Sequence, residues 1–393
     1  MTTPSEQSPL HSVMLLLKFP PHFAGGGLQA SRLMEALSLE NVRVTTLTSA
    51  LPNHGTPRVE DAYGGKVRRF RTWGSVGLSN HLLGLQSALW LMRHPRWDIL
   101  HIHGYSYFAV LPILVARLLR RPILLKTTVL GSDGAFIQGR RWFSRWLLGA
   151  YRKVDLIIAL SKALKRNLED DRGVECRVEQ QSNGVDTQFF RPASEGEHRD
   201  GRRQLNLPDN ARLVITCGEI NPRKNFLQLI QALQYLNRDP VVILIAGPSD
   251  RDPEYLKRVE EESERCPSNH EVRILGQLDP AELASLLRLA DVFALPSRAE
   301  GMPNAVLEAL ASGVPCLATN IPGSIDILER GGGVLVPLDD PRATGEALDG
   351  LLSNETRRAE MAHAAREIAE KHFAFDRVAT RYRAFYDGIV QQR

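Results

Sequence analysis

Two glutamates, Glu300 and Glu308, stand with seven residues between them in SRAEGMPNAVLEALASGVPCLAT, residues 297–319, which begins where the apolar run DVFALP ends. Pro303 suits the first turn of a helix, and Asn304, Glu308 and Ser312 then recur at i, i+4 and i+8 on one face. Val306, Leu307 and Leu310 turn elsewhere, toward a core. Such a helix offers free N–H groups at its start, which hold phosphate, and a carboxylate one turn further in. That carboxylate can accept hydrogen bonds from a ribose diol, while Glu300 on the preceding loop can reach a sugar. For Glu308 the plain alternative is a solvated helical residue. Arg223 and Lys224 follow Pro222 and read either as cations for a phosphate or as exposed charges on a turn.

Earlier in the chain, His101 and His103 close the apolar run DILHIH and share one face of a strand. A metal pair would need a third ligand, which nothing nearby supplies, so structural histidines are the plainer reading. Gly25, Gly26 and Gly27 follow the first apolar run without the spacing of a dinucleotide fingerprint and without an acidic partner on the second run, which disfavours NAD. Their backbone can instead approach a ligand closely. Asp133, in TTVLGSDG, reads as a turn residue or an acceptor contact. Asp250 and Asp252 mimic a DxD metal motif, but Asp252 before Pro253 reads as a helix cap. In QGRRWFSRWLLGAYRK, residues 138–153, Trp142, Phe143, Trp146, Leu147 and Ala150 form one stripe, with Arg141, Arg145 and Arg152 largely off it. The stripe either packs on its own sheet or lies on an anionic membrane.

These residues need strands to aim them. Apolar runs at 13–17, 42–47, 66–70, 98–103, 122–127 and 154–160 alternate with helical patterns, and a second series runs at 212–218, 241–247, 272–276, 291–296, 315–319 and 333–337. Near-continuous apolar strands between helices imply parallel sheets covered on both faces. The chain of 393 residues is expected to hold a first domain at 1–187, a polar linker or hinge at 188–208 and a second domain at 209–372. A last helix, 373–393, packs on the second domain or crosses back to the first. In doubly wound sheets, ligands bind at the carboxyl ends of strands, where these motifs fall.

Charge divides along the same line. Residues 1–187 carry 24 Lys and Arg against 14 Asp and Glu, so the first half is basic although the whole chain has a net charge of +4. An anionic membrane surface or a phosphorylated acceptor fits that half, and without an aromatic-basic motif nucleic acid ranks last. Cys176, Cys217, Cys266 and Cys316 have no metal-binding spacing and read as reduced. No apolar stretch approaches a bilayer span, and the N-terminus lacks signal-peptide features. A cytoplasmic protein, peripheral at the inner face of the plasma membrane, is expected.

The Glu300 to Glu308 segment resembles the Glu-x7-Glu signature of retaining family 4 glycosyltransferases. SNGVDTQFFRP (182–192), ITCGEINPRKNFLQLIQAL (215–233) and VRILGQLDPAELASLLRLADVFALPS (272–297) resemble further segments of that family, and the N-terminal half matches more loosely. The resemblance implies an α/β chain of GT-B fold, two Rossmann-like doubly wound domains facing a central cleft. It implies that Glu300 contacts the donor hexose, that Glu308 holds the ribose hydroxyls, and that Arg223 and Lys224 hold the diphosphate. Gly26, Gly27, Leu275, Met302, Asn304 and Ala305 complete the donor site, His103 lies at the catalytic centre and Asp133 faces the acceptor. One departure stands out: the family carries Arg after the glycine of its first C-terminal strand, whereas Glu219 follows Gly218 here.

The expected activity is retaining transfer of a hexose from a nucleoside-diphosphate sugar to a hydroxyl of a glycan or lipid-linked acceptor, with no other cofactor and no bound metal. Alternatives are a nucleotide-sugar epimerase of the same architecture, a non-catalytic sugar-nucleotide binding protein, and a glycosidase using Glu300 and Glu308 as its carboxylate pair.

Overall fold

The computed structural model describes residues 9–21, 25–50, 56–127, 149–171, 174–208, 210–236 and 240–392. The chain divides into two compact units, Met1–Gly184 with Phe375–Arg393, and Val185–Ala374.

The first unit is built on an eight-stranded sheet of order β3-β4-β2-β1-β5-β6-β7-β8. Its strands are β1 (Leu10–Leu15), β2 (Val42–Ser49), β3 (Val59–Ala62), β4 (Gly65–Phe70), β5 (Ile99–His103), β6 (Ile123–Lys126), β7 (Leu156–Ala159) and β8 (Arg177–Gln180). All neighbours pair in parallel except β3 with β4. Alternate residues of β1, β5 and β6 feed two apolar layers. Val13, Leu100, Ile102, Ile123 and Leu125 enter one, and Met14, Ile99 and Leu124 the other. This is the two-sided covering that the apolar runs imply. The sequence reading misses β3 and β8, the two edge strands. Their sequences, VEDA and RVEQ, are polar and only partly buried, so no apolar run marks them.

The second unit holds a fully parallel six-stranded sheet of order β11-β10-β9-β12-β13-β14. Its strands are β9 (Arg212–Cys217), β10 (Val241–Ala246), β11 (Glu271–Gly276), β12 (Val292–Leu295), β13 (Cys316–Thr319) and β14 (Gly333–Val336), each within a residue or two of its apolar run.

Residues 188–208 do not form the expected linker. They contain the helix Glu195–Gln204, whose N-cap Ser194 and Glu197 form a reciprocal capping box, and they belong to the second unit. Arg202 anchors that helix by pairing with Asp291 at 3.3 Å. The helix buries none of its residues, so its composition is as polar as a linker's.

The last helix, Phe375–Gln391, belongs to the first unit, settling the alternative left open by the sequence. Val378, Tyr382, Tyr386 and Ile389 are buried in the layer that contains Met14, Leu33, Met34, Leu124 and Ile158. The glycine triplet that follows the first apolar run forms the first turn of the helix Gly25–Leu39. A Cβ on Gly27 would meet the Lys18 carbonyl oxygen at 2.6 Å, whereas one on Gly26 would meet open space. Asp133 and the stripe residues Trp142, Phe143, Trp146 and Leu147 lie outside the described residues.

Candidate active site

In the second unit, two loops that follow β9 and β12 are joined into one surface. The Arg298 N–H donates to the Arg223 carbonyl at 2.8 Å, and the Arg298 guanidinium reaches Asp339 at 2.5 Å and the Asn225 side chain at 3.3 Å. Asn225 turns the chain with φ at 54°, in the left-handed region that asparagine tolerates, and the helix Phe226–Ala232 follows. Neither Arg298 nor Asp339 stands out in the sequence, because their pairing depends on loops far apart in the chain.

This clasp brings three expected residues together. Lys224 Nζ and Arg223 Nη1 each lie 2.8 Å from Oε1 of Glu300. Lys224 and Glu300 are largely buried, with side chains 11% and 12% exposed, while Arg223 stays open to solvent at 46%. Burial alone would raise the Glu300 carboxyl, but the two cations outweigh it and hold the group below its usual range, so it is ionised at neutral pH.

Room for the Lys224 head comes from a missing side chain. A Cβ on Gly218, the residue after β9, would stand 2.4 Å from Lys224 Cε, and its φ of 146° is itself a conformation other residues avoid. Gly247, after β10, lets the backbones close in the same way: a Cβ there would meet the Gly218 carbonyl oxygen at 1.9 Å.

Glu308 is buried, 8% exposed, in the helix Asn304–Ala311, so the solvated alternative does not hold. Pro303 sits at the N-cap, one place before its expected position, and the Ser312 hydroxyl donates back to the Glu308 carbonyl at 2.9 Å. Val306, Leu307 and Leu310 are fully buried as their spacing predicts. Cys217, the last residue of β9, lies within the electrostatic reach of both glutamates. Its thiol is pushed up to about 12 by burial first and then by Glu308 and Glu300, with Lys224 opposing them. Of the other residues expected at a donor site, Met302 is buried, Asn304 and Ala305 open the helix half-buried, and Leu275 lies half-buried near the end of β11.

Glu219 faces Arg251, with Oε2 3.5 Å from Nη1, so the residue that departs from the family pattern carries its own cation. Asp252 caps the helix Pro253–Glu264 by accepting from the Tyr255 N–H at 3.0 Å, as its position before proline predicts.

In the first unit, the rings of His101 and His103 stack with centroids 4.2 Å apart, and His101 Nδ1 lies 2.7 Å from the Tyr386 hydroxyl. His103 ends β5 half-buried, in register with Lys126 at the end of β6. Burial holds both imidazoles well below their ordinary values, so both are neutral at pH 7. A neutral His103 can position a hydroxyl without adding charge. Sequence reasoning does not single out Lys126, Tyr382 or Tyr386, although a lysine ending the apolar run ILLK is a visible signal.

The family described as "Glycosyl transferases group 1" matches residues 198–368, and "Glycosyltransferase Family 4" matches residues 23–189. A D-inositol 3-phosphate glycosyltransferase of Corynebacterium urealyticum is 34% identical over 195 residues, 48% of this chain and 46% of that protein. The chain thus spans about half the length of the curated relatives it matches. Among solved structures, sucrose-phosphate synthase from Thermosynechococcus elongatus superposes with a TM-score of 0.78 at 20% identity, over 98% of this chain and all of that one. Anabaena HepE in complex with UDP and glucose does so with a TM-score of 0.76 at 17% identity, over 96% of this chain and all of that one. With both sheets doubly wound and the two family models together matching residues 23–189 and 198–368, the chain belongs to the family 4, group 1 glycosyltransferases of GT-B fold.

Proposed function

We propose that the chain is a retaining glycosyltransferase that moves a hexose from a nucleoside-diphosphate sugar to a hydroxyl of a glycan or lipid-linked acceptor. The observation that carries this reading is the Arg223, Lys224 and Glu300 cluster at the carboxyl ends of β9 and β12, next to the helix that buries Glu308. Both matching families are described as transferases, which favours this reading over an epimerase or a binding module. The HepE complex holds UDP and glucose, and the corynebacterial relative is named for D-inositol 3-phosphate, consistent with a nucleotide-linked donor and a polyol acceptor.

In the proposed reaction the bond between the anomeric carbon and the departing phosphate oxygen breaks. The acceptor oxygen bonds to that carbon on the same face, and its proton passes to the departing phosphate. No protein nucleophile, metal or further cofactor takes part. Arg223 and Lys224 stabilise the charge that gathers on the diphosphate, Glu300 orients the hexose, and Glu308 holds the ribose diol. The test is incubation with radiolabelled UDP-, GDP- and ADP-sugars. Slow release of free sugar from one of them, without acceptor, is the expected result, and no turnover of any overturns the reading.

We also propose that the first unit docks on an anionic membrane surface, peripheral at the cytoplasmic face. Leu78, Leu85 and Met92 recur every seven residues along the helix Val76–Arg93, hence on one face, and are 45%, 48% and 45% exposed. Trp73 before this helix, and Leu111 and Leu118 on the helix Val110–Leu118 packed beside it, are exposed too. Neither helix contains an acidic residue, and exposed Arg71, Arg93, Arg96 and Arg120 lie near their ends. Exposed apolar side chains edged by arginine suit anionic lipid. Sedimentation with phosphatidylglycerol vesicles at low salt, lost on Leu78→Glu with Leu85→Glu, supports this docking, and a protein that stays in the supernatant rules it out.

A further inference from the structure

Lys126 is the last residue of β6, only 4% exposed, and no acidic side chain pairs with it among the described residues. Tyr382 is its aromatic neighbour, with the ring centroid 5.8 Å from Nζ. A ring face softens the isolation of a cation but replaces only part of what a counter-ion supplies.

Around it are polar atoms in the same condition. Nε2 of His101, Nε2 of His103 and the hydroxyl of Tyr382 are buried and make no hydrogen bond to the described residues. These groups form one cluster. The His101 ring stacks 4.2 Å from His103 and 5.4 Å from Tyr382, and His103 is the register partner of Lys126. Ser12 lies 3.4 Å from the Tyr386 hydroxyl, which lies 2.7 Å from His101 Nδ1. If Ser12 donates to Tyr386 and Tyr386 to Nδ1, the His101 proton sits on Nε2, making that atom a donor in want of an acceptor. Buried donors left unpaired each carry a desolvation penalty, and several beside one unpaired ammonium call for an anionic acceptor.

We propose that the carboxyl ends of β5 and β6 form an anion-binding subsite in which Lys126 supplies the charge, His101 and Tyr382 supply neutral donors, and a phosphate group is the ligand. A tetrahedral oxyanion has enough lone pairs to meet an ammonium, an imidazole N–H and a phenol O–H at once, and the hydrogen bond to the ammonium is charge-assisted. His103, half-buried at the end of its strand, stands at the edge of the cluster. Its residues belong to the first unit, whereas Arg223 and Lys224 belong to the second. The proposal rests on the transferase reading for its two sources of phosphate: the diphosphate of the donor, or a phosphate borne by the acceptor.

The imidazole resonances of His101 and His103 give a local readout that needs no activity. In the full chain, titration with inorganic phosphate is expected to shift both saturably. Lys126→Met, which exchanges the ammonium for an apolar stem of similar length, is expected to weaken that binding roughly tenfold or more. Lys126→Arg should restore part of it, and thermal melts of each variant report that it is folded. Glycerol 3-phosphate moving these resonances where UDP, GDP and ADP do not assigns the subsite to the acceptor. The reverse assigns it to the donor. Unmoved wild-type resonances, or equal shifts in Lys126→Met, overturn the proposal. So does phosphate binding that appears only in Asp133→Asn, since Asp133 would then be the partner of Lys126. A failure of the transferase reading would instead appear as no nucleotide-sugar turnover, with the phosphate shifts intact.

Discussion

Lys224 Nζ and Glu300 Oε1 lie 2.8 Å apart across 76 residues of sequence, and the pair stands at the carboxyl ends of two strands adjacent in the sheet. The carboxylate holds the Lys224 ammonium in place and largely out of water, while Arg223, bound to the same oxygen, stays open to solvent. Under the proposed function, donor phosphate takes over part of that charge and Glu300 becomes available to the sugar.

The first prediction follows from that exchange. Glu300→Gln keeps the shape of the side chain but removes the charge that orients Lys224. The rate with the donor identified by the nucleotide-sugar screen is expected to fall roughly 100- to 1000-fold, the scale seen when one preorganised polar group is removed from an active site. A rate within tenfold of wild type would place the hexose contact elsewhere.

Gly218→Ala tests the cavity that Lys224 occupies. The added Cβ would stand 2.4 Å from Lys224 Cε at a φ of 146°, so both backbone and lysine must move. Nucleoside diphosphate affinity is expected to drop at least about tenfold, with a loss of roughly 1–3 kcal/mol of stability. Calorimetric titration and denaturant melts measure the two effects separately.

Glu219 stands where the family carries a cation, but its carboxylate already faces Arg251. Glu219→Ala is therefore expected to change nucleoside diphosphate affinity by less than about threefold, in line with the small energy of an exposed ion pair. Tightening of tenfold or more would mean that its charge acts on the diphosphate after all.

Lys126 predicts a pH dependence. Burial pulls its folded-state pKa down to about 8, whereas in the unfolded chain it titrates near about 10.4. Between those limits the unfolded state holds the extra proton, so stability from this site rises as pH climbs. His101 and His103 are already neutral there, and burial keeps Tyr382 and Tyr386 protonated. Relative to Lys126→Met, the wild type is expected to gain about 2–3 kcal/mol between pH 7 and pH 10. Paired urea melts at the two pH values check it, and a constant difference would mean that the amine keeps its charge throughout.

The second unit is largely legible in its residue pattern. Its six strands are continuous apolar runs because both faces of a parallel sheet are covered, so each strand writes its burial into consecutive residues. The helix after β12 announces itself through a proline at its start and an apolar stripe. The polar edge strands β3 and β8 leave no such mark, and the exposed helix Glu195–Gln204 has the composition of a linker.

By itself the sequence determined the alternation of strands and helices, the family, and the spacing of the Glu300 and Glu308 segment, because periodicity and local spacing are properties of neighbouring residues. Only the tertiary structure decided that Lys224 and Arg223 share one oxygen of Glu300, that Glu219 turns to Arg251, and that the last helix covers Lys126 and the histidines. Those relationships join residues separated by tens to hundreds of positions. Each depends on where loops and strand ends meet in space, and on the burial and charge that each group then meets, which no local pattern encodes.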